Sequence, residues 1–125
     1  MAADFDATFA ALREILRPYA RNMIVVHDTP DNYYLDSKYT APNGHPLFFG
    51  AVRKGKSYVS FHLIPVYMFP DLLTELSPAM KKRMQGKSCF NFKSVSEEQL
   101  AELRELTKRG AARAKEFFDR GRAFS

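Results

Sequence analysis

The sequence lacks most of the features that identify secreted, membrane-spanning or disulfide-stabilised proteins. Its one cysteine, Cys89, has no second cysteine to pair with, so a reducing cytoplasm is the expected compartment. No apolar run approaches the roughly 18 residues that a membrane-spanning helix needs. The first residues carry neither the basic nor the apolar segment of a signal peptide. We therefore expect a cytoplasmic protein without a membrane partner.

Residue patterns that indicate catalysis or metal binding are equally scarce. The three histidines, His27, His45 and His62, lack the short paired spacing of zinc ligands. A nucleophilic Cys89 would need a nearby base, and the sequence does not single out one of these histidines. The carboxylates form no recognisable acid–base pair. The sequence therefore predicts no catalytic residue, no metal and no cofactor, and it favours a protein that is not an enzyme.

Length and composition are those of one globular domain covering residues 1–125, with 46% hydrophobic and 26% charged residues. The net charge of +5 is unevenly distributed. Residues 1–78 contain seven basic and eight acidic side chains, whereas residues 79–125 contain twelve basic and six acidic ones. The basic excess suits a polyanion or an acidic partner, or alternatively a solvated helix face.

Hydrophobic periodicity predicts two long helices that bracket a run of strands. The first helix covers residues 4–16, and the last begins at a capping box formed by Ser96 and Gln99 and ends near Arg120. Its buried side is predicted to be Leu100, Leu103, Leu106, Ala114 and Phe117. Strands are expected at 23–27, 33–39, 47–53, 56–64 and 88–92, with short helical turns between 70 and 84. The connections are too short for parallel crossovers, which predicts an α+β fold with a mainly antiparallel sheet of about five strands and both helices on one face.

Residues 50–57, Gly-Ala-Val-Arg-Lys-Gly-Lys-Ser, match the pattern of a phosphate-binding loop. That chemistry requires a loop that opens directly into a helix, because the helix N-terminus receives the phosphate. Here the following residues alternate between apolar and polar side chains, as in a strand. We therefore predict a tight hairpin with a two-residue link at Lys54 and Gly55.

Two groups of side chains are candidate binding surfaces. The first is an aromatic sheet face, either part of the core or the lining of an apolar pocket with hydroxyl groups. Its members are Tyr33, Tyr39, Tyr58, His62 and Tyr67. The second is a basic cluster beside Phe90 and Phe92, suited to phosphate contact and base stacking. Its members are Lys81, Lys82, Arg83 and Lys87.

The stretch from Pro46 to Phe92 resembles the YdhG-like domains, a bacterial family of largely unknown function. The similarity lies in residues 47–52 (Leu-Phe-Phe-Gly-Ala-Val), 58–63 (Tyr-Val-Ser-Phe-His-Leu), 76–78 (Leu-Ser-Pro) and 81–92. It implies an α–β sandwich. Some members are described as frataxin-like iron chaperones, which bind iron through acids on the first helix and the sheet edge. The corresponding acids of the first helix here are Asp4, Asp6 and Glu14.

The aromatic sheet and the absence of a catalytic pattern predict a non-enzymatic binding module for a small molecule or a protein partner. The alternative from another class is binding of nucleic acid or another polyanion through residues 81–87, although nucleic acid is the less favoured partner. A frataxin-like metal chaperone, implied by the resemblance, is the further alternative.

Overall fold

The computed structural model describes residues 4–40 and 43–119, within which the chain forms α-helices, 3₁₀ helices and one sheet. The α-helices are α1 (Phe5–Leu16), α2 (Ile64–Met68), α3 (Pro78–Lys81) and α4 (Glu97–Asp119). Single 3₁₀ helices cover Arg17–Asn22 and Pro70–Leu73. The strands are β1 (Ile24–Thr29), β2 (Asn32–Thr40), β3 (Pro46–Lys54), β4 (Val59–Leu63) and β5 (Cys89–Phe92). Within these two ranges, no helix combines the length and apolar character needed to cross a bilayer.

The five strands form an antiparallel meander in which each strand pairs with its neighbours in the chain. Alternation along β4 shows how the sheet divides its side chains. Val59, Phe61 and Leu63 are fully buried beneath the helices, whereas Ser60 and His62 lie half-buried on the opposite face. The predicted α+β class, with N- and C-terminal helices on one face of the sheet, is confirmed.

Helix α1 packs closely against the centre of the sheet. Asp4 caps the helix by accepting a hydrogen bond from the Ala7 amide, at 3.0 Å, and Leu12 and Leu16 on its inner stripe are fully buried. The nearest point on β3 is Gly50. A Cβ there would lie 3.2 Å from Leu16 Cδ2 and 3.0 Å from the carbonyl oxygen of His62. Glycine at this position therefore permits close contact between helix and sheet.

Helix α4 begins at the predicted capping box. Ser96 Oγ accepts from the Gln99 amide at 3.1 Å, and Gln99 Oε1 accepts from the Ser96 amide at 3.0 Å. Its buried residues are Leu100, Leu103, Leu106, Thr107, Gly110, Ala114 and Phe118. Phe118 therefore replaces the predicted Phe117, because it lies one helical turn beyond Ala114 on the inner face. Phe117 is only partly buried.

The link between β3 and β4 differs from the prediction. Lys54 pairs with Val59, so four residues, 55–58, connect the strands, and the Gly55 amide donates to the Tyr58 carbonyl at 2.9 Å. A strand follows this loop, which excludes the phosphate-loop geometry. The residue that ends the predicted strand, Ile64, instead begins α2. The sequence pattern did not predict α2, in which Pro65 occupies the first turn, where no intrahelical N–H bond is lost.

Candidate ligand-binding cavity

A cavity of about 700 Å³ lies between the sheet and the helices that cover it. Its floor is formed by β2 and β3, and its walls by the C-terminal half of α4, by α2 and by the 3₁₀ helix Arg17–Asn22. Several lining residues, including Asn22 and Ala112, are exposed, so the cavity reaches the surface. Its apolar lining residues are Pro18, Met23, Leu47, Phe48, Phe49, Ile64, Pro65, Met68, Ala111, Ala112, Ala114 and Phe118. The volume is in the range of sites for small ligands.

The composition of α4 explains why the space is empty. Its first turns bury Leu100, Leu103 and Leu106, which fill the layer between helix and sheet. The following turns present Gly110 and three alanines, whose side chains are too short to fill the same layer. Gly110 lies against α2, where a Cβ would be 3.0 Å from the Cβ of Pro65. The helix is therefore held in place by this contact while its neighbouring residues leave a void.

The sheet also opens at the cavity floor. The pairing of β2 with β3 is regular from Asn32 to Leu35 but shifts before Asp36 and again before Thr40. Ser37 lies in this irregular region and is buried. Its hydroxyl donates to the Leu47 carbonyl at 2.7 Å and accepts from the Tyr39 amide at 3.2 Å. Its side chain thereby replaces strand pairing and holds the irregular backbone that lines the cavity.

Aromatic pairs border the cavity on two sides. The Tyr39 ring stacks on Phe118 with centroids 4.4 Å apart, joining β2 to the end of α4. The Tyr19 ring packs against Phe49 at 5.7 Å. Burial, with a smaller contribution from Glu105, raises the pKa of Tyr19 above its ordinary value. Its hydroxyl therefore stays neutral near pH 7 and remains a hydrogen-bond donor at the cavity wall.

Among the described residues, all charged side chains that line the cavity are lysines. Lys38, Lys108 and Lys115 lie at its rim, and no acidic residue of the described ranges lines it. Lys115 forms an ion pair with Asp119. Within residues 4–40 and 43–119, Lys38 and Lys108 form no ion pair. The rim therefore presents a positive potential around an apolar interior.

The structure does not bring the five members of the predicted aromatic face together. Tyr33 is buried in the core and Tyr39 lines the cavity, whereas His62 lies on the opposite sheet face. Tyr58 is 42% exposed in the loop before β4, and Tyr67 is 55% exposed on α2. Tyr39 is thus the one member of the five at the cavity.

The predicted basic cluster is a continuous exposed segment. Lys81 ends α3, Lys82 and Arg83 follow it, and Lys87 lies in the next loop, with all four side chains exposed. The Lys87 ammonium lies 5.8 Å from the ring centroid of Tyr67. The structure therefore joins the basic cluster to one of the predicted aromatic residues.

On the uncovered face of the sheet, His62 lies beside Cys89. They are paired across β4 and β5, with His62 Nε2 and Cys89 Sγ 3.5 Å apart. Burial lowers the pKa of His62, and Arg53 lowers it further, while burial raises the pKa of the Cys89 thiol. Both shifts favour a neutral thiol and a neutral imidazole, rather than the thiolate that a nucleophilic cysteine requires.

The acidic residues of α1 are engaged within the protein. Asp4 caps the helix, Asp6 forms an ion pair with Lys54, and Glu14 forms one with Arg17 at 2.9 Å. Among the described residues, no group of three or more His, Cys, Asp and Glu side chains is arranged to hold a metal ion. These contacts provide no ligand set for the metal-chaperone alternative.

Most residues that line the cavity do not belong to the candidate sites predicted from the sequence. The aromatic side chains of the predicted face point in different directions. The available signal was the change from leucine to alanine along the inner face of α4. No protein-family model, curated protein or solved structure matches this chain.

Proposed function

We propose that this chain is a non-enzymatic binding module whose cavity holds a small, mainly apolar ligand with one negative charge. The observation that carries the proposal is an apolar cavity of about 700 Å³ with lysines as its charged lining residues. Apolar walls with a few placed polar groups are typical of small-molecule sites. An elongated carboxylate, with its chain between α4 and β3 and its head group at the rim, is the ligand class that fits.

The apolar part of the ligand supplies most of the binding free energy. Burial of apolar surface contributes about 25 cal/mol per Å². An exposed lysine contributes up to about 1 kcal/mol to an ion pair, because solvent and salt screen it. The lysines therefore determine which ligand is preferred more than they determine whether an apolar ligand binds.

Side chains at the wall provide hydrogen bonds to a ligand head group. Asn22 and Tyr19 lie on the 3₁₀ helix that borders the cavity, and Tyr39 lies across from it on β2. The side chain of Asn22 has donors and an acceptor, and a tyrosine hydroxyl can donate a hydrogen bond. These polar groups can donate hydrogen bonds to a carboxylate at the cavity mouth and thereby orient it.

Isothermal titration calorimetry with three ligands of equal chain length tests the proposal. Decanoate is expected to bind more tightly than decanol by about twofold to fivefold, which corresponds to about one lysine contact. Decyltrimethylammonium is expected to bind least well because its charge is repelled by the rim. Equal affinities would contradict the charge selectivity, and no binding of any of the three would contradict the proposal itself.

A matched pair of lysine variants tests whether the preference for decanoate over decanol arises at the cavity rim. Lys108→Gln removes a rim charge, and Lys93→Gln removes a charge that is also exposed but lies outside the cavity. The first change is expected to reduce the preference for decanoate over decanol about threefold. The second should leave this preference unchanged, because Lys93 does not line the site. The same loss in both variants would indicate a general charge effect instead.

Polyanion binding at residues 81–87 is a second candidate function, favoured by the position of Lys87 near the exposed ring of Tyr67. An aromatic ring beside basic side chains suits phosphate contact with base stacking. Binding of a single-stranded oligonucleotide is then expected to weaken steeply with salt, as phosphate contacts are screened. Replacing Lys81, Lys82 and Arg83 by Gln should abolish it. Undetectable binding at low salt would remove this candidate.

Membership of the YdhG-like domains stays a prediction that rests on the resemblance between residues 46 and 92. The metal-chaperone function that the resemblance implies is a weaker candidate than ligand binding. The acids of α1 are already paired or act as a cap, whereas the cavity is open to a ligand.

A further inference from the structure

The two edges of the sheet differ in whether another segment of the chain pairs with them. Along β5, the outer edge is covered by the segment after α3: the Asn91 amide donates to the Arg83 carbonyl and the Gln85 amide to the Cys89 carbonyl, both at 2.8 Å. Met84 also forms a bridge with Phe90. Along β1, no described residue pairs with the outer edge. The backbone groups of β1 that point away from β2 therefore have no strand partner within residues 4–40 and 43–119.

The side chains of β1 give this edge little protection. All six residues of the strand are exposed, and the first three are Ile24, Val25 and Val26, with 42%, 44% and 43% of their surfaces accessible. These β-branched residues favour strand pairing. Edge strands of monomeric proteins usually carry lysine, proline or an inward-pointing charge that blocks pairing. The strand contains neither lysine nor proline. Its acidic residue, Asp28, lies near its end, and its bulge lies between Val25 and His27.

We propose that a second copy of this chain pairs with β1 in the antiparallel direction, which extends the sheet across a twofold axis. The charges beside the strand determine the direction. Arg21 precedes β1, while Asp28 lies near its end and Asp31 follows it. Antiparallel pairing places the arginine end of each copy beside the aspartate end of the other. Parallel pairing would place like charges together at both ends.

The dimer is weak because the paired surface is small. Six strand residues span about 20 Å, and such an interface lies at the low end of the sizes that stable complexes bury. We therefore expect association that depends on concentration, with monomers predominating in dilute solution.

Sedimentation velocity of the full chain, from about 5 to about 500 µM, measures this equilibrium. Val26→Lys places two like charges near the twofold axis and should weaken dimerisation at least about tenfold. Tyr58→Lys is the matched control, because it adds the same charge at a site of similar exposure, 42%, in the loop between β3 and β4. Circular dichroism checks that both variants keep the fold. Tyr58→Lys should dimerise like the parent chain.

Cysteine crosslinking tests the direction of pairing. In a Cys89→Ser background, Val26→Cys should crosslink readily with a short bifunctional thiol reagent. Thr29→Cys should not, because antiparallel pairing separates the two copies of residue 29 by about 15–20 Å. A chain that stays monomeric at every concentration overturns the proposal. So does a Val26→Lys dimer as stable as that of the parent, or equal crosslinking at both positions.

Discussion

The two halves of α4 cover the same sheet with different amounts of side-chain volume. The N-terminal half buries Leu100, Leu103 and Leu106 and leaves little space beneath it. The C-terminal half presents Gly110 and alanines, and beneath it lies the cavity of about 700 Å³. One half of the helix therefore stabilises the fold by packing, while the other leaves a cavity because Gly110 and the alanines beside it are small.

This difference has an energetic consequence. A filled core gains transfer free energy and dispersion contacts from each methylene group, and a cavity forgoes both. A protein that leaves such a volume unfilled between its helices and its sheet is less stable than its size allows. A ligand that occupies the volume recovers this stability, so binding and thermal stability should rise together.

The largest loss of stability is expected from a substitution in the packed half of α4. Leu103→Ala removes a fully buried side chain and should lower the free energy of unfolding by about 2–5 kcal/mol. Urea denaturation followed by circular dichroism measures this change. A loss below about 1 kcal/mol would show that this half is not the packed region that the comparison describes.

A substitution at the boundary between the two halves of α4 should cause an intermediate loss of stability. Gly110→Ala gains about 1 kcal/mol of helix propensity, but the added methyl group would lie 3.0 Å from the Cβ of Pro65. Overpacking against this buried proline costs about 1–3 kcal/mol. We expect a net loss of about 1 kcal/mol in denaturant unfolding. A net gain would mean that α2 can move away from α4.

Removal of the helix cap should lower the stability by a similar amount, without changing ligand affinity. Ser96→Ala deletes the oxygen that accepts from the Gln99 amide, with an expected loss of about 1 kcal/mol in thermal or urea unfolding. Decanoate affinity should stay at the parent value, because residue 96 is at the opposite end of the helix from the cavity. An altered affinity would show that the two halves are coupled.

The smallest change in stability should come from filling the cavity. Ala111→Phe places a ring in the empty volume and should alter the free energy of unfolding by less than about 1 kcal/mol. Decanoate affinity should nevertheless fall at least about tenfold, since the ring competes for the same apolar space. Ala101→Phe, at an exposed alanine of α4 outside the cavity, is the control and should keep the parent affinity.

Local patterns predicted most of the fold because their causes are local. The capping box at Ser96 and Gln99, the helical stripe of α1 and the alternation along β4 each fix one element from neighbouring residues. Helix α2 was missed because it has only five residues and begins beside a proline. The predicted link of two residues, Lys54 and Gly55, is shorter than the loop 55–58 that connects the strands. Strand ends depend on pairing between strands rather than on Gly55 alone.

The candidate site was harder to predict because it depends on which sheet face the helices cover. Tyr33 and Tyr34 are adjacent, but neighbouring residues of a strand point to opposite faces, and Tyr33 alone is in the core. The cavity itself is an absence of side-chain volume, and its signal is the small size of Gly110, Ala111, Ala112 and Ala114 rather than any reactive side chain. Motifs of reactive residues therefore do not indicate such a cavity.

An NMR titration of the amide signals with decanoate tests the central claim most directly. Saturable shifts are expected at Ala111, Ala112 and Ala114 and along residues 37–39, which line the cavity. Amides from Leu100 to Leu106 should change little, because the packed half has no space for the ligand. Shifts centred on the packed half, or no saturable shifts, would contradict the assignment of the cavity as a ligand site.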